Sequence, residues 1–156
     1  MSRRTTDPGE AALRAIGLVV WAVVGAPTLW GFVRGAPPRP LWLGLYAAFA
    51  VAFVRATDER ATRRARAAAL AVESASAIAL AAIGMPHFEG ALLAVVAAEL
   101  PAVVSLRAAV AWAAMQALPL AAIILPTHGA GGTLKATGEY AAFSAFAMAV
   151  VHLRAR

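Results

Sequence analysis

Six apolar runs, at 11–32, 41–54, 67–83, 91–104, 108–125 and 140–153, take up most of the chain and leave only short connectors between them. Runs of this length and composition fit one solvent, the hydrocarbon of a bilayer. With 62% hydrophobic residues, 14% charged residues and a mean hydropathy of +0.73, the 156-residue chain is more apolar than a soluble domain of its size. In hydrocarbon every backbone N–H and C=O must be satisfied within the protein, which leaves helices or a closed barrel. The Ala/Leu-rich runs lack the period-two alternation of barrel strands. The expectation is therefore an all-α polytopic membrane bundle of about six transmembrane helices, forming one domain over 1–156.

The connectors carry the breakers this layout needs: RGAPPRP at 34–40, the charged RATDERATRRAR at 55–66, GMPHFEG at 84–90, a tight turn at 105–107 and the Gly-rich PTHGAGGTLKATGE at 126–139. The net charge of +6 does not point to nucleic acid, because the Arg residues sit between apolar runs and form no basic face. They read instead as topology signals. Eleven of the 14 Lys and Arg fall on one side of a six-helix arrangement and three on the other, which places both termini in the cytoplasm. Arg60, Arg63, Arg64 and Arg66 are the densest of these topology anchors. Trp30, Trp42 and Tyr140 fall near the opposite interface, where amphipathic rings are favoured.

The N-terminal SRR resembles the start of an export signal, but Asp7 and Glu10 interrupt the approach and Pro27 follows the small-residue site at Gly25 and Ala26. An uncleaved first membrane helix is expected. The absence of Cys removes thiolate chemistry and disulfides. His87, Glu89 and His128 are too scattered for a metal signature, and no nucleophile elbow, zinc-protease motif or phosphate loop occurs. No catalytic residue and no cofactor is expected, so the chain is read as a non-enzyme. Gly31-x-x-x-Gly35 has the spacing of a helix contact but falls at a helix end, where a C-cap is the better reading.

Three polar residues remain within the apolar runs. Glu99 lies six residues from Ser105, roughly 9 Å along a helix, and Glu73 and Gln116 reach about 10–14 Å from the same edge. They are expected to share one intramembrane layer. An ionised side chain there costs about 2.5 kcal/mol or more unless it is paired, protonated or wetted. Interhelical hydrogen bonding, proton sensing and an ion pathway all fit such a layer. Pro101 frees the carbonyl of Ala97, so Glu99 is expected to bond there, to Gln116 or to Glu73. On that reading Glu99→Leu disturbs helix packing while Glu99→Gln does not.

The stretch ALLAVVAAELPAVVSLRAAVAWAAMQAL at 91–118, preceded by a short Gly-flanked loop, resembles the N-terminal membrane region of DesK-like sensor histidine kinases, and the last run, YAAFSAFAMAVVHLRAR, is similar as well. The likeness extends over most of the chain in its order of helices. It implies a membrane sensor module in the bacterial inner membrane, with the bilayer and a second copy as partners. Its stimulus would pass through the last helix, ending in His152, Arg154 and Arg156, to a kinase core that this chain does not contain. Three runs are only fourteen residues, about 21 Å against a hydrocarbon thickness of roughly 30 Å, so bilayer thickness is a plausible stimulus. The alternatives are a small secondary transporter or a membrane-complex subunit using Glu73 and Glu99. Reporter fusions after Gly35, Gly90 and Gly132 are expected outside the cytoplasm, and fusions after Arg64 and Arg156 inside. An outside signal at Arg156 removes the six-helix topology.

Overall fold

A computed structural model of the chain describes residues 8–35, 40–83 and 89–154, which are helical apart from short turns. The elements are α1 (Pro8–Val33), α2 (Pro40–Ala56), α3 (Arg63–Ile83), α4 (Glu89–Val103) and α5 (Leu106–Arg154). Three stretches are long and apolar enough to cross a membrane: Arg14–Val33, Arg63–Ile83 and Leu106–Val151. Pro40–Ala56 and Ala91–Val103 are shorter apolar helices. Large side chains such as Ile16, Val19, Val51, Val110, Leu118, Phe143 and Phe146 are exposed, as they are when the surrounding solvent is itself apolar.

The described residues form five helical elements where the sequence suggested six separate helices. The fifth and sixth apolar runs are two arms of α5, which is broken at Gly129 (φ 66°, ψ −178°). Positive φ is accessible to Gly at little cost, so one residue suffices to break the helix. The Tyr140 hydroxyl on the second arm lies 3.3 Å from the Ala113 carbonyl of the first, so the arms fold back on one another. Each arm is about 35 Å long at the helical rise. The expectation of a Gly-rich loop over 126–139 is therefore corrected: this stretch is helical on both sides of Gly129. The hydroxyls of Thr133 and Thr137 are absorbed by the carbonyls one turn back, Gly129 and Thr133, and so do not compete with the helix.

The charged connector is also shorter than expected, because α3 begins at Arg63 and not at 67. Thr62 is its N-cap, with its hydroxyl accepting the N–H of Ala65 at 3.2 Å. At α5 the Ser105 hydroxyl takes the same role toward Ala108. At the end of α1, Gly35 has φ 87° and its N–H donates to Phe32, which is a C-cap, while Gly31 has open space around it.

Helix α3 is the centre of the bundle. Its residues Leu70, Glu73, Ser74, Ser76, Ala77 and Leu80 are all buried, and it packs against α2, α4 and α5, with α1 resting on α4 and α2. The ends are tied by arginines. Arg66 Nε donates to the Ala56 carbonyl at 2.7 Å, Arg63 Nε donates to the Val103 carbonyl at 2.6 Å, and Arg14 donates to the Thr57 carbonyl.

The expected aromatic belt is not formed as drawn. Trp42 and Tyr140 are buried in the protein, and only Trp30, with the Arg34 guanidinium 5.3 Å above its ring, is exposed. Trp42 stacks on Tyr46 at 4.7 Å and Tyr46 on Trp21 at 4.4 Å, a column that joins α1 to α2. Trp21 Nε1 donates to the Tyr46 carbonyl, and the Tyr46 hydroxyl donates back to that of Trp21. Close approach requires glycine on α1: a Cβ at Gly25 would overlap the Tyr46 hydroxyl, and one at Gly17 the Phe53 ring. Gly17→Val and Gly25→Val are each expected to destabilise the protein by about 1–3 kcal/mol through overpacking. Gly31→Ala should be neutral or slightly stabilising. Denaturant unfolding of the three variants in detergent micelles measures the difference.

Candidate functional site

Consecutive residues on a helix point about 100° apart, and α3 uses that angle to send Glu73 and Ser74 to different neighbours. The single layer expected from the sequence is thereby divided into two sites. Glu73, Glu99 and Gln116 are all buried, as their exposures of 0%, 4% and 3% show. Gln116, however, belongs with Ser74, while Glu73 and Glu99 form a pair of their own.

Ser74 is the hub of the first site. Its hydroxyl donates to the Leu70 carbonyl at 2.7 Å and accepts from Gln116 Nε2 at 2.7 Å and Trp112 Nε1 at 3.1 Å, which fills all three of its hydrogen-bonding positions. Gln116 Oε1 in turn accepts from the Tyr140 hydroxyl at 2.6 Å. The chain Ser74–Gln116–Tyr140 thus runs from the central helix through the first arm of α5 to the second. Ser144, one turn after Tyr140, is also buried. A groove of about 510 Å³, lined by Ile78, Ala108, Ala111 and Met115 together with members of the relay, lies beside it.

The second site is the carboxyl pair. Neither oxygen of Glu73 or of Glu99 has a hydrogen-bond partner among the described residues. The expected bonds from Glu99 to Gln116, to Glu73 or to the backbone loosened by Pro101 are therefore absent. The two carboxyls are electrostatic neighbours, and the cations whose field reaches Glu99 are Arg66 and Arg14. Both guanidiniums are engaged with carbonyls at the end of α2. Two neighbouring carboxylates buried without hydrogen bonds cannot both remain ionised at tolerable cost. The arrangement can therefore hold and release a proton between helices.

Among the topology anchors, Arg63 and Arg66 have specific carbonyl contacts that a charge count does not disclose, while Arg60 and Arg64 are exposed at the same end. Of the expected output residues, Arg156 lies outside the described residues, and His152 and Arg154 are placed by the backbone alone at the end of α5. His87 also lies outside them, and the His128 ring meets the Thr127 hydroxyl at 2.7 Å. Among the described residues no cluster of three or more His, Cys, Asp or Glu is placed to hold a metal ion.

Sequence reading missed Ser74, Trp112 and Tyr140. A signal existed for Trp112: it lies four residues before Gln116 on one face of a helix, a spacing that puts two polar tips on one partner.

The energetic contrast between the two sites is testable. Ser74→Ala strands two donors, the buried Gln116 amide and the half-buried Trp112 indole, and is expected to cost about 1–3 kcal/mol. Glu99→Leu removes no hydrogen bond, which reverses the expectation drawn from sequence: it should be neutral or stabilising by about 1–3 kcal/mol. Unfolding midpoints in micelles decide the matter, and a destabilised Glu99→Leu would mean that the carboxyl has a partner. No protein-family model, no curated protein and no solved structure matches this chain, so the chemistry of these residues is the basis for assigning function.

Proposed function

We propose that the chain is a membrane-embedded sensing module of six transmembrane segments with both termini in the cytoplasm of a bacterial cell. It would be of the kind that precedes the kinase core in DesK-like two-component sensors. Its input is the proton occupancy of Glu73 and Glu99, and its output is the position of the second arm of α5. The observation that supports this reading is the unpartnered carboxyl pair at the centre of the bundle. A group that gains or loses charge where no hydrogen bond compensates changes the packing of every helix around it.

The route outward is short. Ser74 follows Glu73 directly on α3, and its bonded chain through Gln116 ends on Tyr140 of the last arm. A rotation of α3 that accommodates a charged Glu73 would pull on that chain, and Gly129 supplies the pivot. Such a route becomes a coupling only when both ends are shown to bias one another. Bilayer thickness has a place in the same scheme, because α2 is about 26 Å long and the apolar part of α4 about 20 Å, both shorter than a hydrocarbon core of roughly 30 Å.

A second reading, a small proton-coupled transporter, is favoured by the same pair, because intramembrane carboxyls are also the working groups of proton relays. One set of experiments separates the two. The chain is fused to a kinase core, reconstituted in bilayers of two thicknesses at two pH values, and assayed for autophosphorylation. Glu73→Gln and Glu99→Gln are expected to abolish the pH response while leaving folding unchanged. Tyr140→Phe should keep the fold but weaken the response to both stimuli. A pH response that persists in both Gln variants overturns the proton-sensing role. Proton flux into proteoliposomes that is lost in the same variants would establish the transporter.

A further inference from the structure

The bonds that tie the helix ends also collect charge at one end of the bundle. Arg14 is held to Thr57, Arg66 to Ala56 and Arg63 to Val103, which brings the start of α3, the ends of α2 and α4 and the Arg14 region of α1 together. Helix α5 starts beside them at Leu106, so Arg55, Arg60, Arg64 and Arg107 share this end. Seven arginines thus share this end with three acidic residues, Asp58, Glu59 and, by its backbone position one turn before Arg14, Glu10. Asp58 is already engaged by the backbone N–H of Arg60 at 3.0 Å.

The arginines divide into two sets. Arg14, Arg63 and Arg66 donate to carbonyls near the C-terminal ends of α2 and α4, where the helix dipole is negative. Arg55, Arg60, Arg64 and Arg107 are exposed. Two positive helix ends stand among them, because neither α3 nor α5 has an acidic residue in its first turn. A negative group is the favourable neighbour there. Both α3 and α5 instead place arginine in that turn, which adds like charge to like.

We propose that this end of the bundle is a binding surface for the phosphate headgroups of anionic lipids, contacted by Arg55, Arg60, Arg64 and Arg107. The inference rests on the reading of the chain as membrane-spanning. Phosphate supplies what the protein leaves out, a negative group at the α3 and α5 N-termini and an acceptor for the exposed guanidiniums. A lipid presents that phosphate at the height where these residues emerge from the apolar runs, and anionic lipids attract such juxtamembrane clusters. The surface flanks Arg14 and Arg66, two cations whose charges act on Glu99, so headgroup binding would also act on the carboxyl pair.

The test uses the whole chain reconstituted in phosphatidylcholine bilayers with and without phosphatidylglycerol, with the relative association of spin-labelled phosphatidylglycerol and phosphatidylcholine as the readout. The wild-type chain is expected to prefer phosphatidylglycerol severalfold, and the preference should decline as salt is raised. The combined Arg55→Gln, Arg60→Gln, Arg64→Gln and Arg107→Gln variant should lose it. The charge-conserving Lys variants at the same four positions should retain most of it. Arg34→Gln with Lys135→Gln, away from this end, should leave it unchanged. An undiminished preference in the four-Gln variant overturns the proposal, as does an equal loss in the Arg34/Lys135 control. Thermal protection by inorganic phosphate in pure phosphatidylcholine, equal to that given by phosphatidylglycerol, would assign the surface to a free anion and overturn the lipid. A chain that fails to enter bilayers at all would overturn the membrane reading together with this one.

Discussion

The fold depends on one helix whose polar face cannot meet lipid. Within four residues α3 carries Glu73, Ser74 and Ser76, and hydrocarbon offers none of them a partner. That polar face must therefore be covered by protein, and it is: α2, α4 and α5 pack against it, while Val72 on the opposite face is exposed. The remaining helices need only one buried face each, and their outward faces are apolar. A bundle in which the least apolar span is central and the most apolar surfaces are peripheral inverts the arrangement of a soluble domain. The inversion follows from the solvent, not from a different packing rule.

Coverage of the polar face of α3 has a consequence at its N-terminal end. Arg63, Arg64 and Arg66 stand in or next to its first turn, where its own dipole disfavours them. In a bundle of antiparallel neighbours the same location lies beside the C-termini of α2 and α4, whose last carbonyls have no helical N–H to accept. Arg63 and Arg66 satisfy one carbonyl of each. A placement that is wrong for the helix alone becomes right for its neighbours, and the unfavourable local choice helps to fix which helix ends meet.

Much of this was legible in the sequence because bilayer burial is written in composition. The apolar runs, the charged and Gly/Pro breakers between them and the burial of Glu73, Glu99 and Gln116 could all be read along one dimension. Which polar groups meet could not. Depth along a helix is a count of residues, whereas azimuth depends on how its neighbours are rotated, so Glu73 and Gln116 looked like members of one layer and are not. Trp42 and Tyr140 misled for a related reason: an aromatic near a span end is equally suited to the lipid interface and to an interhelical hydrogen bond, and the choice between them rests on the facing helix. The stretch 126–139 misled because glycine counts suggest a loop, whereas a single positive-φ residue, Gly129, is all the reversal required.

The contrast between the two polar sites is the strongest argument about function. Ser74, Gln116 and Tyr140 each find a partner on another helix or on their own backbone, so this chain is able to build polar networks in the hydrocarbon, although the Ser144 hydroxyl, one turn beyond Tyr140, is buried without one. One residue away, at Glu73, and across the interface at Glu99, it leaves four carboxyl oxygens without any. Replacing such a pair by apolar side chains of similar volume is the change that packing alone would favour. A structural role accounts for a satisfied polar network but not for an unsatisfied carboxyl pair held beside it. What the pair can do that Leu or Gln cannot is change its charge, and its position on the helix that also carries Ser74 puts that change within one residue of the only described hydrogen-bonded chain reaching the last arm.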